Sequence, residues 1–222
     1  MEQDTQIKLP GRLLQRAFFE AAPDRVAPRL LGKLLVHRTA EGVTAGRIVE
    51  VEAYLGPHNS PPDPAAHSFR GPTPRNLVLF GPAGHAYVYA IYGMHFCMNL
   101  SCETEGQAGC VLVRALEPVL GLELMAERRG LAADSAPRMF ASGPGRLCQA
   151  MGLTRAAHNG LDVTKSGSPL QVRDDGARPV EALVTPRIGI REAVDWPLRF
   201  ALAENACVSG AKNVKGCRIR LA

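Results

Sequence analysis

The stretch GRIVEVEAYLG, residues 46–56, sets two glutamates, Glu50 and Glu52, inside a run of strand-forming residues bounded by glycines. Valine, isoleucine and tyrosine fit a pleated surface, so the run predicts a β-strand over 46–54. Side chains alternate faces along a strand. Ile48, Glu50, Glu52 and Tyr54 then share one face, and Arg47, Val49, Val51 and Ala53 share the other. The second face is mostly apolar and suits burial. The acids admit two readings: ordinary groups on a solvated face, or a carboxylate held rigidly at the floor of a cleft.

Outward from this strand, residues 12–22 and 24–36 predict helix or capped helical turns. Asp24 is the candidate cap, and Leu30, Leu31, Leu34 and Leu35 form the apolar side. After the strand, PHNSPPDPAAHSFRGPTPRN, residues 57–76, is too rich in proline, serine, asparagine and glycine for regular structure. Long loops in compact domains are often functional, and this one carries His58, His67, Arg70 and Arg75. AYVYAIY, residues 86–92, reads as a second strand with Tyr87, Tyr89 and Ile91 on one face; Gly93 then permits a tight reversal. HFCMNL, residues 95–100, reads as a third, with His95, Cys97 and Asn99 sharing a face. CVLVRAL, residues 110–116, reads as a fourth. Arg114 in that apolar run calls for a carboxylate or ligand partner, or an open edge.

Pro118 suits a helix first turn, predicting a helix to about Arg129 that stops at Gly130. Ser142 is the candidate cap of a shorter helix containing Arg146, Leu147, Cys148 and Met151. Residues 160–185 read as strands and turns, and the tail KNVKGCRIRLA is basic. No repeat and no clear linker interrupts the chain, so one mixed α/β domain over residues 1–222 is expected.

At 222 residues the chain is long enough for a sizeable core, and 46% hydrophobic with 21% charged residues is a globular composition. A net charge of +5 favours a polyanionic partner only weakly. Six scattered cysteines, without a CxxC pair, match no common zinc spacing and predict reduced thiols. No leader-like start and no run of transmembrane length is seen, so a cytoplasmic protein is expected, or a nuclear one in a eukaryote. GxGxxG after a strand, the Walker loop, HExxH, GxSxG, the deaminase signature and a helix-turn-helix signature are all missing.

Tyrosines near a turn usually pack in a core. Beside a basic loop they can also stack on nucleobases, and an aromatic wedge can fill a gap in a base stack. A carboxylate near C1′ of a nucleotide can activate water, a histidine can orient sugar or water, and an arginine can bind the nearby phosphate. These are parts for base removal. The periodicity alone leaves a small-ligand enzyme equally open.

The ordered series GRIVEVEAYLGP, AAHS, TPRN, YVYAIYGMHFCMN and GCVLVRALEP, extended by GLELMAERR, SGPGRLCQAMG, RIGI and WPLRF, resembles the alkyladenine (3-methyladenine) DNA glycosylase family over residues 12–203. The resemblance implies a curved antiparallel sheet flanked by helices, a DNA-binding face with a β-hairpin wedge, and a monomer acting on duplex DNA. It implies monofunctional excision of alkylated or deaminated purines such as 3-methyladenine, 7-methylguanine, ethenoadenine or hypoxanthine, without metal, cofactor or lysine Schiff base. The family's catalytic glutamate falls on Glu52, and Glu50 is left a supporting part.

The resemblance also assigns base stacking to Tyr54 and Tyr89, a pocket histidine to His67, and the residue inserted into the duplex to Tyr92, followed by Gly93 and Met94. Asn99 takes the position that discriminates against guanine's exocyclic amine. Arg114 holds the backbone or supports the water, and Ile188 and Gly189 line the pocket. Two departures stand out: PHNSPPDP lengthens the loop before His67, and His95 stands where vertebrate members more often have tyrosine. A protein that binds lesions without cutting, or a small-ligand enzyme on the same fold, is the alternative.

Overall fold

The computed structural model describes residues 9–210 and 216–221. In chain order the elements are β1 (Arg12–Leu13), α1 (Pro23–Leu30), β2 (Leu34–Thr39), β3 (Gly42–Tyr54), β4 (Ala86–Ile91), β5 (His95–Cys102) and β6 (Gly109–Leu120). There follow α2 (Leu122–Arg129), α3 (Arg138–Ala141), α4 (Pro144–Met151), α5 (Arg155–His158), β7 (Leu170–Asp174), β8 (Glu181–Thr185), β9 (Arg199–Leu202) and β10 (Cys217–Arg220).

The strands form one antiparallel sheet in the order β1-β7-β2-β3-β6-β5-β4. β3 is its spine. One edge of β3 pairs with β2 over Gly42–Arg47 and then with β9 over Glu50–Glu52, while the other edge pairs with β6 from Ala45 to Tyr54. β8 joins β9 to β10. The expected mixed α/β domain is therefore met at the level of a large antiparallel sheet flanked by helices, but the sheet is open and lacks the strong curvature expected of it.

A β-bulge changes the faces read from GRIVEVEAY. The β3–β6 register shifts between Ile48 and Glu50 and again between Glu50 and Val51. The extra residue breaks strict alternation. Ile48 joins Val49, Val51 and Ala53 in the main core instead of sharing a face with the acids. Both faces of the strand are covered, because Glu50 and Glu52 have no exposed surface.

Five further expectations are corrected. The helix predicted to reach residue 36 ends at Leu30. Gly32 has φ +85°, which halts the helix and turns Leu34 and Leu35 into β2. The segment 12–22 is a two-residue strand and a short 3-10 turn. Asp24 sits inside the first turn of α1, not at its cap, where it still faces the positive end of the helix dipole. Pro118 lies within β6 at an irregularity in the β3 pairing, where a missing N–H is tolerated. The helix starts after Gly121 and stops, as expected, at Gly130. Ser142 is extended, and Gly143 followed by Pro144 opens α4. Of the basic tail, Lys212 and Lys215 lie outside the described residues, and Cys217–Arg220 is strand β10.

The core lies between one face of the sheet and the helices. Val26, Ala27 and Leu30 of α1, Phe140 of α3, and Leu147 and Met151 of α4 pack with Val88, Met98, Val111 and Val113. The opposite face of β3, β6, β5 and β4 is left to carry the site.

Candidate active site

On that opposite face the strand period selects the residues. Tyr54 of β3, Cys110, Leu112 and Arg114 of β6, Cys97 and Asn99 of β5, and Tyr87, Tyr89 and Ile91 of β4 line one cavity of about 530 Å³. Their neighbours in sequence, such as Val88, Met98, Val111 and Val113, are core. Two loops close the cavity: Pro64, Ala65 and His67 from residues 55–76, and Ile188–Glu192 after β8. Its size, and its aromatic walls with polar groups converging between them, are those of a small-ligand site.

Glu52 lies one layer behind this lining, within reach of three residues that form it. Its Oε2 accepts the Tyr54 hydroxyl at 2.9 Å. Its Oε1 accepts the Ile188 N–H at 2.7 Å and faces Arg114 Nη1 at 3.1 Å. Desolvation of a carboxylate is tolerated only with such partners. Three donors occupy three of about four lone-pair directions, leaving one on Oε2. Burial, and then the negative charge of Glu52, push the Tyr54 phenol far above its ordinary pKa, so it stays a donor.

Arg114 has the carboxylate partner its apolar neighbours called for, and has two. Its Nε donates to Glu50 Oε1 at 2.9 Å. Glu50 also accepts from Arg199 Nε at 2.7 Å, Ser209 N–H at 2.6 Å and Ser209 Oγ at 2.9 Å. Arg199 in turn donates to Thr185 Oγ1 and the Ser209 carbonyl. Burial tends to raise the Glu50 pKa, but Arg114 and Arg199 outweigh it and hold it low. Glu50 is thus the anchor that orients Arg114 toward Glu52.

His67 stands edge-on to Tyr89, ring centroids 4.6 Å apart, with Nδ1 3.0 Å from the Tyr87 hydroxyl. Desolvation in this aromatic setting, with Arg75 nearby, lowers its pKa, so the ring is neutral near pH 7. Arg75 itself lies 5.4 Å over the Tyr89 ring. Tyr92, Gly93 and Met94 form the β4–β5 turn. Tyr92 is 92% and Met94 79% exposed, and Tyr92 adopts φ 49°, uncommon for a non-glycine residue. Tyr92 also reaches the cavity lining, whereas Met94 faces a separate groove.

The buried pair Asp63–Arg187 was not legible as a site component. Arg187 Nη2 donates to Asp63 Oδ1 at 2.9 Å, Nη1 donates to the Ala53 carbonyl at 3.0 Å, and the guanidinium lies 4.6 Å over the Tyr54 ring. The pair ties both cavity loops to the end of β3. Arg187 and Arg199 stood inside RIGI and WPLRF. An arginine amid apolar residues was the available signal, as it was for Arg114; Ser209 offered none.

The fold and site thus define a class: an antiparallel α/β protein holding a buried carboxylate behind an aromatic-walled cavity. The chain belongs to the methylpurine-DNA glycosylase family, whose model matches residues 17–206. It is 52% identical over 199 residues to a Koribacter versatilis protein named "Putative 3-methyladenine DNA glycosylase", covering 90% of this chain and 94% of that one. It is 53% identical over 200 residues to a protein of the same name from Methanoculleus marisnigri, covering 88% and 98%. A Rhodopseudomonas palustris protein of that name is 49% identical over 199 residues, covering 90% and 89%.

Proposed function

We propose that Glu52 drives hydrolysis of the N-glycosidic bond of a damaged purine held in this cavity. Membership of the family makes the chain a monofunctional DNA glycosylase acting on alkylated purines. The residue roles are inferred from the geometry. The observation that carries them is the Glu52 carboxylate, fixed by Tyr54, Ile188 and Arg114, each of which also forms the cavity wall.

The purine leaves the duplex and stacks between Tyr54 and Tyr89, with His67 closing one edge. Flipping costs a few kcal/mol, less for a damaged pair. The bond from C1′ to the base nitrogen breaks with its electron pair going to the base. Positive charge grows on the sugar, and the nearby carboxylate stabilises it. Water seated between Glu52 Oε2 and Arg114 adds to C1′ and gives its proton to Glu52. A cationic methylated purine departs neutral. Arg114 holds the carboxylate and the water in register, and Ile188 and Gly189 supply the backbone of the wall. Tyr92, Gly93 and Met94 are the wedge on the DNA-binding face, with Tyr92 filling the vacated stack. The partner is duplex DNA containing a damaged purine, bound by a single copy of the chain. All of residues 1–222 serve this one domain.

A single-turnover assay on labelled duplex with one 3-methyladenine, ethenoadenine or hypoxanthine tests this. Wild type is expected to leave abasic sites that break only after hot alkali. Glu52→Gln is expected to lose excision by a factor of about 100 or more while still binding DNA. Wild-type rates in Glu52→Gln would remove the carboxylate from its role. Strand breakage without alkali would contradict the monofunctional reading.

A further inference from the structure

Asn99 and Cys110 reach the cavity from the neighbouring strands β5 and β6. The Cys110 S–H donates to Asn99 Oδ1 at 3.7 Å, and Asn99 Nδ2 donates to the Tyr87 carbonyl at 3.2 Å. Both side chains are buried. A backbone carbonyl only accepts, so Tyr87 selects the NH₂ end of the amide. The thiol then meets the oxygen end. Turning the amide over would set two oxygens against each other at Tyr87 and exchange the S–H···O contact at Cys110 for one to sulfur, a weak acceptor. Burial pushes the thiol up to about 12, so it keeps its proton at physiological pH.

We propose that Cys110 is a specificity-determining positioning residue: its thiol holds the Asn99 amide so that an N–H, not the carbonyl oxygen, is offered to the purine. This rests on the reading that the cavity holds a purine base. With Oδ1 taken by the thiol and one Nδ2 hydrogen taken by Tyr87, the second Nδ2 hydrogen is left for the ligand. A purine carrying an exocyclic amine at that wall, as guanine does at C2, sets donor against donor. Hypoxanthine has only a C–H there and meets no such conflict. An amide released from the thiol can swing its oxygen toward guanine and accept from the amine. Rejection of guanine then weakens.

The test compares single-turnover release of hypoxanthine and of guanine, each opposite thymine, within one protein preparation. The ratio of the two rates is read, so a general loss of activity cancels. Cys110→Val removes the donor at similar volume, and Cys110→Ala does so with a smaller side chain. Cys110→Ser keeps a donor. One hydrogen bond corresponds to a change of about threefold to tenfold. The hypoxanthine-to-guanine ratio is expected to fall by about that factor in the valine and alanine variants and to stay at the wild-type value in the serine variant. An unchanged ratio in Cys110→Val and Cys110→Ala would overturn the proposal, and so would serine behaving like valine, because packing alone would then be responsible. A wild type that releases neither base would overturn the purine reading beneath it, a separate outcome visible before any variant is compared.

Discussion

Glu52 has no exposed surface, and its environment shows what keeps a carboxylate there: a phenol, a backbone N–H and a guanidinium arriving from three parts of the chain. Removing one donor to a charged acceptor weakens its hold by about 1.5–3 kcal/mol. Tyr54→Phe keeps the aromatic face and deletes the hydroxyl. Its single-turnover excision rate is expected to fall about tenfold or more, with lesion-DNA affinity little changed. Equal losses in rate and affinity would instead point to stacking as the main contribution of Tyr54. At this scale the sequence was informative. Tyr54, His67, Tyr89, Asn99, Arg114, Ile188 and Gly189 meet around one cavity, and Tyr92 reaches its rim. Arg199, Ser209 and the Asp63–Arg187 pair stayed hidden because their partners are far away in sequence, from 124 residues for Asp63–Arg187 to 159 for Ser209–Glu50. Nothing local records such a pairing.

At the scale of elements, the two loops that roof the cavity are held by Asp63 and Arg187 and not by regular structure of their own. Asp63 also accepts the Leu55 and Ala65 N–H groups, at 3.1 and 3.0 Å, and so fixes the start of its loop. Breaking a buried ion pair from one side costs about 3–5 kcal/mol. Asp63→Ala is expected to lower unfolding stability by that amount in urea titrations. A loss under 1 kcal/mol would mean that the loops are held elsewhere. The β4–β5 hairpin yields a different prediction. Tyr92→Ala is expected to weaken capture of lesion DNA while leaving the melting temperature near wild type, because the side chain touches solvent and not core. β4 and β5 were legible because polar and apolar residues alternate cleanly along them. β2 was not. A leucine run suits a helix or a strand alike, and the conformation of Gly32 decides between them. The bulge in β3 was equally silent, since an extra residue changes the faces without changing the composition.

Across the whole molecule, a pair of imidazoles bears on stability. His37 Nε2 lies 3.0 Å from His158 Nε2, and both rings are buried. His37 Nδ1 donates to the Met151 carbonyl at 2.7 Å, while His158 Nδ1 lies 3.0 Å from the Thr154 N–H and 3.1 Å from the Thr154 carbonyl. The Met151 carbonyl only accepts, so it places the His37 proton on Nδ1 and leaves His37 Nε2 as an acceptor facing His158. Burial lowers the His37 pKa from 6.5 to about 4 and lowers that of His158 as well. Between those two pH values the unfolded chain binds more protons than the folded one. Stability is therefore full above about pH 6.5 and falls on acidification, by on the order of 3 kcal/mol near pH 4 from His37 alone. Melting curves from pH 7.5 down to 4 should show the decline, and His37→Leu should flatten it. A melting temperature independent of pH over that range would refute the assignment. Affinity for lesion DNA should also fall between 50 and 200 mM salt, as phosphate contacts release counterions. Composition and charge allowed such a partner without singling it out; the ordered run of motifs did that.

The turn carrying Tyr92 and the cavity wall carrying Tyr89 belong to one continuous hairpin. Along a strand each residue advances about 3.3 Å, so the proposed wedge and the stacking ring keep a fixed spacing of three residues. The hairpin works as a ruler. With Tyr92 and Tyr89 in their proposed roles, it would set how far a nucleotide travels between leaving the stack and meeting its aromatic seat. Swapping a side chain at either end alters the grip at that end. Inserting two residues between Ile91 and His95 would keep both grips and spoil the measurement.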